Sequence, residues 1–270
     1  MKLSSAVVGF AAPPTEALVD ARWLMAFSAG LGETAFPHPL FPVCYEWPAT
    51  RQLRSRAGLL PIDARLVHAQ HDLVIHRAPR EEKLLIAGKV VAALQRKPGT
   101  LVVYRFETRD AKGEPVSTTD FSALYRDAQL EGGDRTIART DDPPKPTQAL
   151  KEVGEIPVAA TAAHIYTECA RIWNPIHTDV EYARAAGLPD IILHGTATLA
   201  LSVSRVLANF NVQQAGRIRC RFAGMVLMPS TLTVHASRLG DAIAFETRNA
   251  QGKPVIERGW IDWTDRLHSL

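Results

Sequence analysis

Along the second half of the chain, apolar positions fall into alternating helical and extended patterns. Helical spacing covers Thr161 to Trp173, Asp179 to Ala186 and Thr196 to Phe210. In the last of these, Ala197, Leu199, Ala200, Leu201, Val203, Val206, Leu207 and Phe210 place apolar groups on nearly every face, the mark of a buried helix. Strand patterns follow near Ile218 to Phe222, Thr231 to Arg238, Ala242 to Arg248 and Val255 to Trp263. The first half has the same order. A helical pattern is read from Thr15, after Pro13-Pro14, to about Ala29, where Gly30 and Gly32 stop it. Strands are then expected at His71 to His76, Lys83 to Gln95, Leu101 to Thr108 and Val116 to Tyr125. A helix apolar all round needs a sheet wrapped about it, so the pattern predicts an α+β protein in which each half surrounds a central helix with antiparallel strands.

The halves also share a sequence. Phe106-Glu-Thr-Arg-Asp-Ala-Lys-Gly-Glu-Pro-Val116 is repeated as Phe245-Glu-Thr-Arg-Asn-Ala-Gln-Gly-Lys-Pro-Val255, and each copy reads as a strand, a turn on Asp or Asn with Gly, and a second strand. Turn chemistry fixes the Asp/Asn and the Gly but not the Phe-Glu-Thr-Arg before them, which favours duplication over convergence. Glu131 to Gln148, with Gly132-Gly133 and Pro143-Pro144-Lys145-Pro146, reads as a linker. The expected division is therefore 1–130, a linker at 131–148, and 149–270.

Composition narrows the class without naming a chemistry. Thirty-one Lys and Arg against 28 Asp and Glu leave +3, with both signs dispersed, so neither nucleic acid nor an anionic membrane surface is called for. The longest uncharged apolar stretch, Ile191 to Ser204, is far below the roughly 20 residues of a membrane-spanning helix. No cleavage site follows the short apolar run of Met1 to Ala12. Cys44, Cys169 and Cys220 are odd in number and widely spaced, which argues against a disulfide framework or a cysteine zinc site. A soluble cytoplasmic protein with reduced thiols is expected. Phosphate-cradling glycine motifs and Gly-x-Ser-x-Gly are absent, which removes support for nucleotide, nicotinamide and serine-hydrolase chemistry.

Chemistry concentrates in Tyr166-Thr-Glu-Cys-Ala-Arg-Ile-Trp-Asn-Pro-Ile-His-Thr-Asp179 and Ile191-Ile-Leu-His-Gly-Thr196. Pro175 drives Asn174 out of the helical region, so His177 sits on a tight connection. Thr178 is read as opening a short helix with Glu181 in capping-box position, closed by Gly187 and Pro189. A loop His facing the N-terminus of a buried helix can move a proton while free backbone N–H groups polarise a carbonyl, and Gly195 permits close approach. The competing reading makes His177 a helix-stop residue bonded to local backbone, and His194 a packing or capping residue.

Asn174-Pro-Ile-His177, Asp179, Tyr182-Ala183, Gly187 and Ile192-Leu-His-Gly195 together resemble the MaoC-like hydratase family, the (R)-specific enoyl-CoA hydratases or hydratase 2, over roughly residues 156 to 263. The first half resembles the degenerate first domain of two-domain members. The resemblance implies a double hot-dog fold, a homodimer, an acyl-CoA substrate, no cofactor, and water addition to a trans-2-enoyl thioester or its reverse. It places His177 on the catalytic His, Asn174 on the motif Asn and Gly195 on the thioester oxygen, with Asp179 at a structural position. The family's Asp two residues before the Asn is replaced by Ile172. Glu168, a helical turn earlier, is a candidate replacement, and its alternative is an ordinary helix-face acid. Arg171 and Tyr166 are candidates with surface and packing alternatives. A non-catalytic acyl-thioester binder and a thioester hydrolase on the same fold stay open beside the hydratase.

Other signals are weaker. His71 and His76 point to opposite faces of one strand, so with His68 they do not form a metal set, and no metal is expected. His38-Pro39-Leu40-Phe41-Pro42 with Trp47 reads as an aromatic loop, either lining an acyl pocket or simply packed. Arg217, Arg219 and Arg221 share one strand face, open either to coenzyme A phosphates or to solvent.

Overall fold

The computed structural model describes residues 2–35, 37–59, 66–140 and 142–263. They form two compact units, one made of Met1–Val19, Tyr45–Arg77 and Glu82–Asp142, the other of Asp20–Cys44, Ala78–Glu81 and Pro143–Leu270. The units thus interleave in sequence, where the expected division runs as two continuous segments. The strands are β1 (Lys2–Ser4), β2 (Thr15–Val19), β3 (Leu66–Ile75), β4 (Glu82–Arg96), β5 (Gly99–Asp110), β6 (Pro115–Arg126), β7 (Gln129–Glu131), β8 (Arg135–Thr136), β9 (Lys151–Val158), β10 (Arg217–Phe222), β11 (Ser230–Leu239), β12 (Ala242–Arg248) and β13 (Pro254–Asp262). The α-helices are α1 (Ala21–Gly30), α2 (Pro42–Arg56), α3 (Ala162–Ala170), α4 (Val180–Ala185) and α5 (Gly195–Phe210).

In the first unit the strands run antiparallel in the order β2-β4-β5-β6-β3, with β8 added to β4 and β1 paired in parallel with β7. Helix α2 packs on this sheet. Tyr45 Oη meets Ser117 Oγ at 2.9 Å, Thr119 donates to Glu46 Oε1 at 2.7 Å, and Leu53 is fully buried. Burial pushes the Glu46 carboxyl up to about 8, against the pull of its Thr119 and Ser117 bonds. In the second unit the order is β10-β13-β12-β11-β9. Helix α5 packs on it with Ala197, Leu199, Ala200, Val203 and Val206 buried, and Ser202 and Thr247 hydroxyls meet at 2.7 Å.

Several expectations are corrected. Thr15 opens strand β2, paired with β4 through Thr15↔Ile86 and Val19↔Glu82. The helix starts only at Ala21, where Asp20 Oδ1 accepts from Trp23 N at 2.7 Å, because Pro13-Pro14 leads into extended chain and Asp20 is the available cap. Trp47 lies in helix α2, not in a loop. Pro42 starts that helix, where a missing N–H costs nothing, while the interior Pro48 obscures the pattern. The segment read as linker holds β8, and its Pro-rich end is seated on the second unit, with Trp260 Nε1 donating to Pro144 O at 2.8 Å.

The repeated segment is one hairpin built twice. Asp110 Oδ1 accepts from Lys112 N at 2.9 Å and Glu114 N at 3.0 Å, and Asn249 Oδ1 accepts from Gln251 N at 3.1 Å and Lys253 N at 3.0 Å. Gly113 and Gly252 take positive φ, 85° and 71°. The Phe at the head of each copy is fully buried over a cross-strand glycine, Phe106 over Gly88 and Phe245 over Gly259. A Cβ on Gly259 would lie 2.6 Å from the Phe245 ring, and one on Gly88 would lie 2.9 Å from the Phe106 ring. Gly259→Ala is expected to cost about 1–3 kcal/mol in urea unfolding through overpacking, with recovery in a Gly259→Ala/Phe245→Leu double variant. An unchanged midpoint for the single variant refutes this.

Candidate active site

The site grows from the end of α3. Arg171 takes the left-handed conformation, φ 56°, and its N–H reaches back to Glu168 O, which ends the helix. The Arg171 guanidinium lies 4.2 Å from the Trp23 ring centroid of α1. Asn174, extended at φ −146°, leads Pro175–His177 into a single 3-10 turn. The Asn174 amide oxygen accepts from Ile176 N at 3.5 Å. Asp179, not Thr178, caps the next helix, accepting from Tyr182 N at 3.0 Å. Glu181 instead lies exposed beside Arg184, at 3.6 Å. After Gly187 the chain returns through Ile192, whose N–H bonds Ile176 O at 3.3 Å, and Leu193, whose N–H bonds Val226 O at 2.9 Å.

These bonds place His177 between two main-chain anchors. Its ring is buried, and Nδ1 lies 2.8 Å from Ile192 O. A carbonyl only accepts, so Nδ1 carries the hydrogen and Nε2 keeps its lone pair. Burial lowers the His177 pKa to about 4 against the opposing pull of the Ile192 bond, leaving a neutral imidazole at physiological pH. The His194 ring stacks on it, with centroids 3.6 Å apart and planes 24° apart. His194 is buried too, and desolvation, then the adjacent His177, holds its pKa well below the ordinary value. Gly195 follows directly and opens α5. His194 gives that helix no side-chain cap, so its first N–H groups lack the usual side-chain acceptor. The Phe222 ring packs on Gly195, where a Cβ would approach to 3.2 Å.

His177, His194 and Gly195 are therefore brought together, with Asn174 shaping the turn that carries His177. Tyr166 belongs to the packing around them: its hydroxyl donates to Thr196 Oγ1 at 3.0 Å, and its ring lies 4.9 Å from His194 and 5.8 Å from Phe27. Glu168 is exposed. The left-handed Arg171 breaks the helical relation that would align Glu168 with Ile172, which itself is buried and apolar. Arg219 and Arg221 have carboxylate partners on β13, Asp262 at 3.5 Å and Glu257 at 3.3 Å, which compensates much of that strand's positive face. His68 and His71, with a bulge between them in the β3–β6 register, stand edge to face at 5.5 Å, and His76 bonds Thr118 Oγ1 at 3.0 Å. Among the described residues there is no group of three or more His, Cys, Asp or Glu suited to a metal ion. His38 was not foreseen as a buried base. Its Nδ1 accepts from Leu40 N at 3.0 Å and its Nε2 meets Ser204 Oγ of α5 at 3.1 Å, which locks the aromatic loop onto that helix.

Residues 142–258 match the MaoC like domain. The chain is 28% identical over 204 residues to peroxisomal multifunctional enzyme type 2 of Drosophila melanogaster, a match covering 73% of this chain and 34% of that enzyme. It therefore spans about a third of the length of that relative. It is 25% identical over 206 residues to a probable enoyl-CoA hydratase 2 of Dictyostelium discoideum, covering 72% of this chain and 68% of that protein. The crystal structure of a MaoC-like dehydratase from Phytophthora capsici superposes with a TM-score of 0.85 at 19% identity, covering 98% of both chains. The fold is the double hot-dog, and all but the first residue of the MaoC-like segment belongs to the second unit. No helix among the described residues is long and apolar enough to cross a membrane.

The buried imidazoles set an acid limit on the fold. His38, His71 and His177 have pKa values lowered to about 4 from 6.5, in each case chiefly by desolvation. Between those values the unfolded chain binds the proton and the folded chain does not, so folding stability rises with pH and is lost on acidification. Each group removes about 1.4 kcal/mol per pH unit across that window, and Glu46, raised to about 8 and therefore protonated only in the folded chain there, offsets about one of them. Urea midpoints at pH 7.5, 6.5 and 5.5 are expected to hold between the first two and drop sharply at the third; equal midpoints at 6.5 and 5.5 refute the burial of neutral rings.

Proposed function

We propose that the protein is an acyl-thioester hydro-lyase that reversibly hydrates a trans-2-enoyl-CoA to a 3-hydroxyacyl-CoA. The observation that carries this reading is a neutral, buried His177 with Nδ1–H fixed on Ile192 O and Nε2 left as a base, stacked on the residue that precedes the open N-terminus of α5. In the proposed reaction a water O–H bond breaks and its proton passes to His177 Nε2. The water oxygen bonds the β-carbon, and the C=C electron pair moves through the α-carbon toward the thioester oxygen. Gly195 N–H, with the partial positive charge of the helix terminus behind it, stabilises that enolate. His177 then returns the proton to the α-carbon, so that H and OH are added across the double bond. Asn174 keeps the 3-10 turn in shape by accepting from Ile176 N. Support from likeness comes from relatives named enoyl-CoA hydratase 2 in Dictyostelium discoideum and Arabidopsis thaliana.

A second reading, an acyl-CoA-binding protein without hydration, is favoured by one observation: Ile172, 6% exposed, puts a hydrocarbon where the family motif has Asp. In either case Arg219 and Arg221 would reach coenzyme A phosphates only by sharing or leaving Asp262 and Glu257. A homodimer in the cytoplasm completes the proposal. The dimer rests on likeness to two-domain relatives, and the peroxisomal relatives name the competing compartment.

Hydration of crotonyl-CoA and longer or branched enoyl-CoAs, followed by loss of the conjugated thioester absorbance, is expected to proceed with wild type. It should fall about 10²–10⁴-fold in His177→Ala. Equal, negligible rates with intact acyl-CoA binding move the assignment to the second reading. Gain of hydration in Ile172→Asp would then identify a site lacking one group. Absence of both turnover and binding sinks both readings.

A further inference from the structure

The Cβ tether and the hydrogen bond from Nδ1 to Ile192 O hold the His177 ring at two points, which leaves the ring able to rock about the line between them. Where Nε2 points depends on a further restraint. The face of His177 is covered by the His194 ring, 3.6 Å away and 24° from parallel. His194 is itself fixed at several points. Its Nε2 lies 3.3 Å from Ile172 O and 3.3 Å from Thr167 Oγ1, and the Tyr166 ring sits 4.9 Å away at 51°. The carbonyl of Ile172 can only accept, so His194 carries its hydrogen on Nε2 and its Nδ1 is a bare acceptor. That Nδ1 is buried without a hydrogen-bond partner, although a water-facing side chain would satisfy it. An unpaired buried acceptor costs about 1–3 kcal/mol, and a polar group kept at that cost calls for an explanation.

We propose that His194 is a positioning residue for hydration: its flat face sets the plane of His177, and its Nε2–H ties that plane to the main chain at Ile172, where the catalytic loop leaves α3. The side chain of Ile172 is apolar and has no part in this; its carbonyl does. His194 takes no proton in the reaction: its bare Nδ1 is buried, and a charge there would sit against the proton that His177 receives. The inference rests on the hydratase reading, yet its structural half can be tested without turnover.

Histidine 15N spectra of the wild type provide that half. His177 is expected as the Nδ1–H tautomer and His194 as the Nε2–H tautomer, each as a single form at neutral pH, and any other assignment overturns the proposal. Two variants then separate face from bond. His194→Phe keeps the flat ring and loses the donor, whereas His194→Gln keeps a donor for Ile172 O and loses the face. His194→Gln is expected to lower kcat for crotonyl-CoA by about tenfold or more with KM within about twofold, and to split His177 between tautomers. His194→Phe, the control on folding, is expected to keep more of the rate and a single His177 tautomer. Unchanged kcat and tautomer in His194→Gln, or equal losses in both variants, overturn the role of the stacked face. A wild type inactive on all enoyl-CoAs but with the expected tautomers refutes hydration while leaving the arrangement of the two rings established.

Discussion

A neutral imidazole has one donor and one acceptor, and in His177 the donor is held at 2.8 Å on the Ile192 carbonyl. The 3-10 turn, the short α4 and the returning segment through Ile192 and Leu193 bring residue 192 opposite residue 177. The reciprocal bond from Ile192 N to Ile176 O closes the two segments on each other. Burial supplies the other half of the condition, because a solvated ring would titrate near neutrality and spend part of its time unable to accept a proton. Apolar enclosure and a single carbonyl together keep this imidazole neutral, with its Nε2 lone pair free of a proton, across the physiological range.

The enclosure has a cost in polar satisfaction that the fold distributes unevenly. His38 is fully bonded between Leu40 N and Ser204. In the first unit, Glu46 takes hydroxyl donors from Thr119 and Ser117 on the strands beneath α2. His71, in contrast, is buried with neither ring nitrogen hydrogen-bonded, and His194 has one such nitrogen. Buried groups without partners are an energetic burden that a larger hydrophobic core must offset, and both units have one, from Tyr104 and Phe106 in the first to Val203 and Phe245 in the second.

Much of this was legible in the sequence. The strands β4, β5, β6, β12 and β13 and the helices α3 and α5 follow from period and turn chemistry, and the duplicated hairpin is visible down to the Asp or Asn that bonds its own turn. His177 on a connection after Asn-Pro was legible because Pro175 acts locally. What escaped depends on long-range partners. Strand β2 is too short to show its period before Asp20 caps a helix, and α2 hides behind Pro42 and Pro48. Glu168 was aligned with Ile172 on helical spacing that one left-handed residue, Arg171, abolishes. The stack of His194 on His177 joins residues 17 positions apart, and no local pattern encodes it. The carboxylate partners of Arg219 and Arg221 lie on another strand and are equally invisible to a strand read alone.

Helix α1 comes from the first half of the chain but is built into the second unit, where Gly30 lies against Cys169 of α3 and Trp23 lies beneath Arg171. The two units of a chain with a repeated hairpin thus exchange parts. The loop that carries His177 leans, through Arg171, on a helix encoded more than a hundred residues upstream. A first half without the motif residues thereby contributes scaffolding to the second, and splitting the chain between its repeats would strip the half that carries His177 of a wall it does not itself encode.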